Sequence, residues 1–557
     1  MNYKNQQRIW NGWGILTNPY WQSFENQKLQ KELENFLNVY LPRKSLPISV
    51  SRNEILSKID ESKISIQDLE KYPKLKDIVN LEKEVRLDYS FGQSFPDWVR
   101  FRTGWDLKIT DAVAFPKSIE DLQSIYDFCR IHDYRMILYG GGTSVVGHIL
   151  PENDKPVITV SMEKLNQLKE INQKNSYAVF EAGISGPEIE EELQKYGYRL
   201  GHYPQSFELS TLGGWIATRS SGQQSLYYGK IEDLFLGGKL FTKSGILEIF
   251  PIPASSAGLD LKHLLLGSEG RLGVIFEATM KIRQLPEIEE FHGIFFKNSE
   301  KAIDFIRRIL SIKMAISMIR LSFPEETKIN LEMAKATGHR KWVEYLESFL
   351  KFKGFRDSFL MMIVGFTGTK KEVGFSKKLV FKMIKDFGGY TNSFFLSKRL
   401  GEGWKRNRFF SPYLRNILWD LGYGVDTLET CLPWENILMA KTKIEETIRS
   451  VVKRFGEEII VYSHLSHVYL NGSSLYTTMV FPLKTHPEEI FLMWKEIKLS
   501  ASNVITELKG TISHQHGVGK DHKPFLIKEK GVMGMQWMEF FIKNSDPEGI
   551  WNNKNLV

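Results

Sequence analysis

The sequence predicts an α+β protein of two or three domains, and three observations lead to that prediction. The chain has 557 residues, more than a single hydrophobic core usually supports. Residues 1–95 place apolar side chains at helical spacing, residues 96–286 alternate strand-like and helical segments, and residues 287–557 alternate them again. We therefore expect a helical N-terminal extension, a first domain that ends near Pro286, and an α/β second domain.

The N-terminal extension, residues 1–95, is predicted to be helical. Within 28–41 the apolar residues that follow the spacing of one helix face are Leu29, Leu33, Phe36, Leu37 and Tyr40. Residues 65–72 show a weaker pattern of the same kind, which Pro73 is expected to end. Nothing in this region indicates chemistry of its own.

The first domain opens with a strand, a helix and a second strand that leads into a glycine-rich turn. Residues 112–116 and 135–138 are expected strands, and the helix between them has Ser118 as its N-cap. The turn reads Gly-Gly-Gly-Thr-Ser at 140–144. Glycines let successive main-chain N–H groups approach a phosphate that a Cβ would block. This arrangement predicts a nucleotide-binding unit.

Two further stretches rich in glycine or hydroxyl residues, 213–222 and 269–275, lie beside strand-like segments and support a large polar cofactor. The turn departs from the dinucleotide pattern G-x-G-x-x-G, because Val145 stands where the last glycine would fall. No Walker A Gly-Lys-Ser/Thr follows it either. The residues alone indicate a nucleotide in an unusual cradle, with a flavin dinucleotide as the best candidate.

Composition excludes several classes of protein. Lys and Arg total 74 against 66 Asp and Glu, and the resulting charge of +8 is spread along the chain. That distribution fits a solvated surface, with anionic lipid or a phosphorylated substrate as the alternative binding partner, and no nucleic-acid motif is present.

The two cysteines indicate a reducing compartment. No apolar run approaches the ~20 residues of a bilayer span, so we expect a soluble, cytoplasmic protein with at most peripheral membrane contact.

Motifs along nearly the whole chain carry a family resemblance. They are Trp-Asn-Gly-Trp-Gly at 10–14, the turn at 140–144, the segments 201–211, 213–222 and 267–275, Glu429-Thr430 before Pro433-Trp434, the segment 510–520, and Asp546-Pro547 with Asn555-Leu556. Their order and spacing resemble the alkyldihydroxyacetonephosphate synthase (alkylglycerone-phosphate synthase) family of the vanillyl-alcohol oxidase / p-cresol methylhydroxylase superfamily. The resemblance implies a two-subdomain FAD-binding domain over 96–286 and a cap (substrate) domain over 287–557, whose C-terminal segment returns to the active site.

The resemblance also implies non-covalent FAD, since 140–144 contains no His or Cys to which flavin could be attached as in some relatives. The implied cofactor-binding residues are Gly140, Gly141, Gly142, Thr143, Ser144, Gln205, Ser206, Ser210, Thr211, Gly214, Thr218, Ser220, Ser221, Glu269, Gly273, Val274 and Ile275.

Enzymes of the family exchange the acyl chain of 1-acyl-dihydroxyacetone phosphate for a fatty alcohol, through a flavin N5 adduct and without net oxidation. The resemblance therefore implies an ether-lipid-forming enzyme with lipid-like small-molecule substrates. Tyr476 matches the acid/base tyrosine, and a phenol with a pKa of ~10 needs nearby cations to act as a base. The implied catalytic residues are Tyr476, His514, His516 and His202, and the implied substrate-binding residues are Arg415, Arg320, Thr427 and Gln515.

The residue types give partial support to these roles. A guanidinium at 415 suits a phosphate or carboxylate, and an arginine at 320 between apolar neighbours must find an anion. His514 and His516 would share one face of an extended segment, which fits an acid/base pair, a phosphate site or a metal site. The chain departs from the family pattern at Gln515, where the middle of three histidines is expected, and at Tyr203 and Gln205, where acidic residues are expected.

The alternative function is an FAD-dependent dehydrogenase of a 2-hydroxy acid, of the D-lactate or 2-hydroxyglutarate type. Such relatives carry two metal-binding histidines seven residues apart and a Glu-His-Gly segment. Here Tyr469 and Tyr476 fill the first two positions and Gln515 replaces the glutamate. Phenols and an amide are poor ligands for a divalent metal. This favours a metal-free synthase, although His464 and His467 lie close by.

A scaffold that holds flavin without catalysis is a third class, disfavoured because the candidate reacting groups occur together. Two long chains would enter the synthase from a bilayer, so we expect peripheral membrane contact, with residues 359–364 or the aromatic N-terminal region beside the entry. A homodimer is left open.

Overall fold

The N-terminal region comprises a segment with turns at residues 7–18 and one helix after it. The computed structural model describes residues 7–18, 27–42, 46–152, 154–356, 358–391, 394–551 and 554–557. The helix predicted at 28–41 is α1, Gln27–Tyr40. Among the described residues, no helix combines the length and the apolarity that crossing a bilayer requires.

Residues 52–103 form short helices and one edge strand rather than a separate helical extension. The helices are α2 (Arg52–Lys58), α3 (Ile66–Glu70), α4 (Pro73–Lys76), α5 (Lys83–Asp88) and α6 (Phe95–Thr103). Pro73 ends the pattern of α3 as predicted and also begins α4, because proline is tolerated in the first helical turn. The strand β1 (Val79–Asn80) pairs with the first domain's sheet, whereas the apolar residues of α2, α5 and α6 pack in the core of the cap, so the region contacts both domains.

The first subdomain is a four-stranded sheet in the order β1-β2-β4-β3. Its strands β2 (Ala112–Ala114), β3 (Arg135–Tyr139) and β4 (Val157–Ser161) are parallel, and helix α7 (Ile119–His132) connects the first two. The Ser118 side chain accepts a hydrogen bond from the Asp121 N–H, which confirms the predicted N-cap. Because β3 ends at Tyr139, the glycine turn lies at the carboxyl edge of the sheet, where parallel sheets bind ligands.

The second subdomain is a five-stranded antiparallel sheet in the order β5-β6-β10-β8-β9. The elements of this subdomain are β5 (Leu168–Asn172), β6 (Tyr177–Glu181), α8 (Gly186–Gln194), β7 (Tyr198–Arg199), α9 (Leu212–Thr218), α10 (Ser225–Tyr228), α11 (Ile231–Leu234), β8 (Phe235–Thr242), β9 (Gly245–Ile249), α12 (Lys262–Leu265), β10 (Val274–Lys281) and β11 (Arg283–Gln284). Strands β7 and β11 form a small two-stranded sheet beside the larger one. The stretches 205–222 and 267–275 are the loops and short helix that border the first sheet's glycine turn.

The cap is a seven-stranded sheet in the order β15-β12-β14-β13-β17-β18-β16. Its strands are β12 (Ile288–Phe296), β13 (Ile316–Ser322), β14 (Leu360–Gly368), β15 (Gly389–Tyr390), β16 (Tyr423–Pro433), β17 (Ile460–Tyr469) and β18 (Gly472–Pro482). All pair antiparallel, so helices and strands alternate as expected but without parallel crossovers. Residues 360–364 form a largely buried strand of the sheet, and the expectation that 359–364 lies beside a membrane-facing entry stays a prediction.

Helices cover the cap sheet. They are α13 (Ser299–Leu310), α14 (Pro324–Ala334), a π-helical turn (Lys335–His339), α15 (Arg340–Phe352), α16 (Lys370–Ile384), α17 (Phe394–Asn407), α18 (Leu414–Asp420), α19 (Ile437–Arg454), α20 (Pro487–Glu507) and α21 (Lys523–Ser545). Short 3-10 turns lie at Lys385–Phe387, Ser411–Tyr413 and Trp434–Asn436.

The C-terminal chain returns to the first subdomain. Trp551 is fully buried, bridges to Met136 of β3 and stacks on Tyr126 with ring centroids 4.9 Å apart. The Asn555 side-chain amide donates to the carbonyl of His148 over 2.9 Å. These contacts fix the segment 510–522 between the two domains.

Candidate active site

One cavity of about 1580 Å³ lies between the FAD-binding domain, the cap sheet and the N-terminal segment. Every residue predicted to bind the cofactor lines it, from the turn at 140–144 to Ile275. Of the predicted substrate residues, Arg415, Arg320, Thr427 and Gln515 also line it. The structure therefore brings the two predicted sets of residues together around a single space.

The glycine turn is closed so tightly that side chains are excluded from it. A Cβ on Gly141 would lie 1.9 Å from the carbonyl oxygen of Leu209, and Gly142 has a φ of 65°, which favours glycine. Arg8 of the N-terminal segment donates from Nη1 to the carbonyl of Gly141 over 2.8 Å. The turn thus presents backbone to the cavity with a guanidinium beside it, a cradle that suits a pyrophosphate.

Two buried acceptors in the cavity wall point to a ligand with N–H donors. The side-chain oxygens of Gln223 and Gln515 have no hydrogen-bond partner among the described residues, and both residues line the cavity. An unpaired buried acceptor is costly unless a ligand or water satisfies it. An isoalloxazine ring, with its imide N–H, fits that requirement, so the residues present fit FAD.

Glu269 ties the C-terminal loop to the cofactor wall. Its carboxylate accepts hydrogen bonds from the N–H groups of Val518 and Gly519, at 2.5 and 3.0 Å, and lies 3.1 Å from Nε2 of His148. Gln205, where an acidic residue was expected, donates its amide to the Ser411 hydroxyl of the cap. Both predicted cofactor residues therefore also hold the two domains together at the cavity.

Three side chains form a row across neighbouring cap strands. Tyr476 of β18 is paired in register with Glu429 of β16 on one side and His464 of β17 on the other, so all three lie on one face of the sheet. The Tyr476 ring stacks on His464 at 5.0 Å and meets the His516 ring edge-on at 5.7 Å. The strand pairing thus assembles a reacting group from residues far apart in sequence.

Burial raises the pKa of Tyr476 well above its ordinary value. A hydrogen bond with Thr427 and the charge of Arg415 lower the pKa, and the carboxylates of Glu429 and Asp426 raise it further. Arg415 supplies the cation that a phenolic base needs, but burial raises the pKa of Tyr476 by more than Arg415 lowers it. At neutral pH Tyr476 is therefore a proton donor.

Arg415 is held in place by an aromatic ring and a main-chain carbonyl, and none of the described ion pairs joins it to a carboxylate. Its guanidinium lies 4.4 Å from the ring centroid of Trp98 and donates from Nη1 to the carbonyl of Gln93 over 2.9 Å. Burial lowers its pKa to about 10, and the charge of Asp426 opposes that shift, so it stays charged at neutral pH. A half-buried, positioned cation on the cavity wall suits an anionic substrate group.

Arg320 already forms an ion pair with a carboxylate of the protein. Its Nη2 lies 2.7 Å from Oε1 of Glu326 and 3.2 Å from Nδ1 of His464. Burial acts to raise the pKa of Glu326, but the charges of His464 and Arg320 prevail and hold it at about 2. The arginine faces the cavity as predicted, with its charge balanced by the protein.

His514 and His202, predicted as catalytic, lie behind the cavity wall rather than on it. His514 contacts Glu429 through Nδ1 at 3.1 Å and the Tyr469 hydroxyl through Nε2. His202 contacts the Ser220 hydroxyl through Nε2 at 2.8 Å. Burial lowers the pKa of each imidazole to about 3, so both are neutral.

Glu429, His467 and His514 are the described residues that could hold a metal ion, because one ligand atom of each lies within 4.8 Å of the others. The sequence pattern indicates histidines as possible ligands but not this carboxylate, because only the pairing of β16 with β18 brings it there. The expectation of a metal-free site stays a prediction.

The sequence interpretation named no residues for the apolar limb of the cavity. Helices α1, α14 and α18 and the end of the cap sheet line it. The lining residues are Leu33, Phe36, Leu37, Met333, Leu414, Leu418, Val425, Ile460 and Val480. The helical spacing at 33, 36 and 37 predicted an apolar face but not what that face contacts. Trp13 of the N-terminal segment lines the cavity too, so the N-terminal region contributes to the site.

Comparison with known proteins agrees with this geometry. A family described as FAD binding domain matches residues 110–249, and one described as FAD linked oxidases, C-terminal domain, matches 285–556. The chain is 30% identical to alkyldihydroxyacetonephosphate synthase of Dictyostelium discoideum, over 99% of this chain and 94% of that protein.

Solved structures give the same result. One of alkyldihydroxyacetonephosphate synthase superposes with a TM-score of 0.83 at 28% identity, covering 100% of this chain and 99% of that one. A structure of p-cresol methylhydroxylase with substrate bound, at 12% identity and a TM-score of 0.66, covers 88% of this chain and 97% of that one and shares the fold. FAD is thus the cofactor of this fold, and the chain belongs to the alkyldihydroxyacetonephosphate synthase family.

Proposed function

We propose that this protein is an FAD-dependent synthase that exchanges the acyl group of 1-acyl-dihydroxyacetone phosphate for a fatty alcohol and so forms an ether bond. The observation that carries the proposal is the continuity of one cavity from the cofactor turn at 140–144, past Tyr476 and Arg415, into the apolar limb. A substrate with a phosphate at one end and a long chain at the other fits that order of surfaces.

Each part of the cavity has a matching part of the substrate. Arg415 binds the phosphate, because it is a half-buried cation without a carboxylate partner among the described ion pairs. The apolar limb takes the alkyl chain and excludes water from it, with a gain of about 0.8 kcal/mol for each buried methylene.

FAD, held non-covalently, supplies an electrophilic ring to the reaction. The protein contributes the proton chemistry around it. Tyr476 carries a proton at neutral pH and donates it to an oxygen of the reacting substrate. His516 lines the cavity beside Tyr476; its pKa is lowered by burial, which leaves it neutral and able to accept a proton.

The alternative, a dehydrogenase of 2-hydroxy acids, is less well supported by the site. Tyr469 and Tyr476 occupy the positions of two expected metal ligands, and Gln515 occupies that of the carboxylate. A small hydroxy acid also gives no reason for an apolar limb that reaches helix α1. A metal-dependent dehydrogenase would need the different set of Glu429, His467 and His514.

The proposal includes peripheral contact with an anionic bilayer through α21. Met533, Trp537 and Phe540 are 61–65% exposed and recur at i, i+4 and i+7, which gives the helix an exposed apolar stripe. Exposed Lys530 and Lys543 flank the stripe, as suits anionic headgroups. Co-sedimentation of Trp537→Ser/Phe540→Ser with phosphatidylglycerol vesicles is expected to fall well below that of the unaltered protein; equal co-sedimentation would contradict this contact.

The test of the proposed function compares two substrate pairs on the same flavin-loaded preparation. With acyl-dihydroxyacetone phosphate and labelled hexadecanol, we expect ether product and free fatty acid in equal amounts. With D-lactate or D-2-hydroxyglutarate we expect no reduction of the flavin. Flavin bleaching by a hydroxy acid without ether formation would establish the alternative.

A further inference from the structure

The segment Trp-Asn-Gly-Trp-Gly at 10–14 lies beside the active site, and the proposed chemistry does not use it. A β-bridge joins Arg8 to Ile15 on its two sides, so 8–15 forms a closed loop. Trp13 of this 8–15 loop is 4% exposed and lines the cavity. The loop is therefore packed into the interior of the protein at the cavity wall.

Asn416 of α18 binds the loop through both polar atoms of its side-chain amide. The Trp13 N–H donates to Oδ1 of Asn416 over 2.9 Å, and Nδ2 of Asn416 donates to the Trp13 carbonyl over 2.8 Å. Asn416 is 1% exposed, so water does not compete for these two hydrogen bonds. Because Arg415 precedes Asn416 in the same helix, the pair fixes the backbone from which the arginine side chain extends.

The two glycines of the motif lie where the loop contacts the chain on either side of Arg415. A Cβ on Gly12 would lie 2.2 Å from Oδ1 of Asn416. A Cβ on Gly14, whose φ is 104°, would lie 2.1 Å from Cε1 of Tyr413. The glycines thus permit an approach to α18 that a larger residue would prevent.

Gln93 connects the same loop to the guanidinium of Arg415. Its side-chain Nε2 donates to the Gly12 carbonyl over 3.1 Å, and its Oε1 accepts from the Trp98 indole over 2.9 Å. Its main-chain carbonyl accepts from Nη1 of Arg415 over 2.9 Å, and its main-chain N–H donates to the Ser144 carbonyl over 2.6 Å. Gln93 therefore joins the loop, the cofactor turn and the arginine.

We propose that the 8–15 loop positions Arg415 for the substrate phosphate, through Asn416 on the backbone side and Gln93 on the guanidinium side. The inference rests on the proposed function, in which Arg415 binds that phosphate. An arginine side chain loses rotamer freedom when it binds an anion, and an arginine already held in place loses less. The described lining of the cavity includes Arg415 and Trp13 but neither Asn416 nor Gln93. These two act through Arg415 and are positioning residues.

The first experiment measures the Kd of the FAD-loaded protein for dihydroxyacetone phosphate by titration calorimetry, without turnover. Gly12→Ala puts a Cβ against the Asn416 amide, and Asn416→Ala removes its two hydrogen bonds to Trp13. We expect Kd to rise about 10-fold in each variant, because the arginine then has to be ordered on binding. Leu16→Ala, at a 39% exposed position next to the loop, is the matched control and should stay within about twofold. An unchanged Kd in both loop variants would overturn the proposal.

The second experiment asks whether the loop acts through the arginine. Arg415→Ala removes the guanidinium and should itself weaken binding of dihydroxyacetone phosphate. If Asn416 only positions that guanidinium, Asn416→Ala should weaken binding no further when it is added to Arg415→Ala. Effects that add in full would mean that Asn416 acts independently of Arg415, and would overturn the proposal.

Gln93→Ala tests the guanidinium side of the proposal. It keeps the main-chain carbonyl that accepts from Arg415 but removes the side-chain hydrogen bonds to Gly12 and Trp98. Because the direct contact remains, we expect a smaller rise in Kd, of about threefold. A Kd equal to that of the unaltered protein would overturn the role of Gln93.

Steady-state kinetics separate positioning from a general disturbance of the fold. In Asn416→Ala the KM for acyl-dihydroxyacetone phosphate is expected to rise about 10-fold, while kcat and the KM for hexadecanol stay within about twofold. Acyl-dihydroxyacetone, which has no phosphate, should bind the variant and the unaltered protein equally. Equal losses for substrates with and without the phosphate would overturn the proposal.

The outcomes separate this inference from the proposed function. If the unaltered protein forms no ether and the shifts in Kd are present, the proposed function is overturned and the positioning of Arg415 stands. If Arg415→Ala binds dihydroxyacetone phosphate as the unaltered protein does, the phosphate is not bound by Arg415 and the inference is overturned. If Gly12→Ala fails to fold, Asn416→Ala and Gln93→Ala decide by the same titration.

Discussion

The cofactor wall and the cap wall of the cavity are built in different ways. The cofactor wall consists of backbone and small side chains on a few loops, such as 140–144, and tight closure excludes larger residues. The cap wall consists of large polar side chains that meet only because distant strands pair, as Tyr476 does with Glu429 and His464. Substitutions in the cofactor wall should therefore weaken FAD binding, whereas substitutions in the cap wall should lower turnover while FAD stays bound.

The largest expected effect is on the cap wall. Tyr476→Phe removes the proton donor while keeping the ring that stacks on His464, so we expect turnover to fall by about 1000-fold, within the range for loss of a general acid. Flavin content should equal that of the unaltered protein. Steady-state ether formation per bound flavin measures the effect.

Tyr462 provides the control for that substitution. It is a second tyrosine of the cap wall, also facing the cavity, and burial raises its pKa as well. Tyr462→Phe is expected to change turnover by only a few fold. A Tyr476→Phe protein with full activity would remove Tyr476 from the reaction.

The next effect is on the cofactor wall. Gly141→Val would put a Cβ 1.9 Å from the Leu209 carbonyl, and relief of that overlap at about 1–3 kcal/mol corresponds to a ~10–100-fold weaker flavin complex. Flavin released by acid denaturation and measured by absorbance reports the bound amount, and its release confirms non-covalent attachment. Flavin that stays with the precipitate would contradict it.

Gly403→Ala is the matched control on the opposite wall. Gly403 also lines the cavity, but a Cβ there meets no atom within 4 Å. We expect normal flavin content and turnover. Equal flavin loss in both variants would mean that the two walls do not differ as described.

A smaller effect is expected in the apolar limb. Val480 is 7% exposed and lines the limb, so Val480→Phe should shorten the space for the alkyl chain. Exclusion of about two methylenes corresponds to roughly a tenfold loss with hexadecanol, while octanol should be affected less. Leu499→Phe, at an exposed position of α20, should leave the ratio of the two alcohols unchanged; an unchanged ratio in Val480→Phe would place the chain elsewhere.

The smallest effect concerns stability against pH. Burial lowers the pKa of His202 to about 3, below its unfolded value of about 6.5, so below that value the unfolded chain binds the additional proton. The free energy of unfolding is therefore nearly unaffected by this histidine at pH 7.5 and is lowered by it by roughly 1 kcal/mol at pH 5.5. Urea unfolding at both pH values should show that His202→Gln loses less stability on acidification than the unaltered protein, and equal losses would mean that His202 is protonated when folded.

The same contrast explains what the sequence could predict. The glycine turn, the N-cap at Ser118 and the hydroxyl-rich loops are local patterns, and all of them lie where they were expected. The row of Glu429, Tyr476 and His464 depends on strand register across the cap sheet, which no local pattern determines. The position of His514 behind the wall depends on contacts with Tyr469 and Glu429, 45 and 85 positions away. The position of α1 against the apolar limb depends on contacts such as that between Asn38 and Tyr423, 385 positions apart.

The most direct test of the whole account follows the flavin spectrum during anaerobic turnover with acyl-dihydroxyacetone phosphate and hexadecanol, with no electron acceptor present. Our account predicts many turnovers per flavin, one ether formed for each fatty acid released, and a flavin that is fully oxidised once the substrates are consumed. A flavin that ends reduced, or a reaction that stops after one turnover until an acceptor is added, would contradict it.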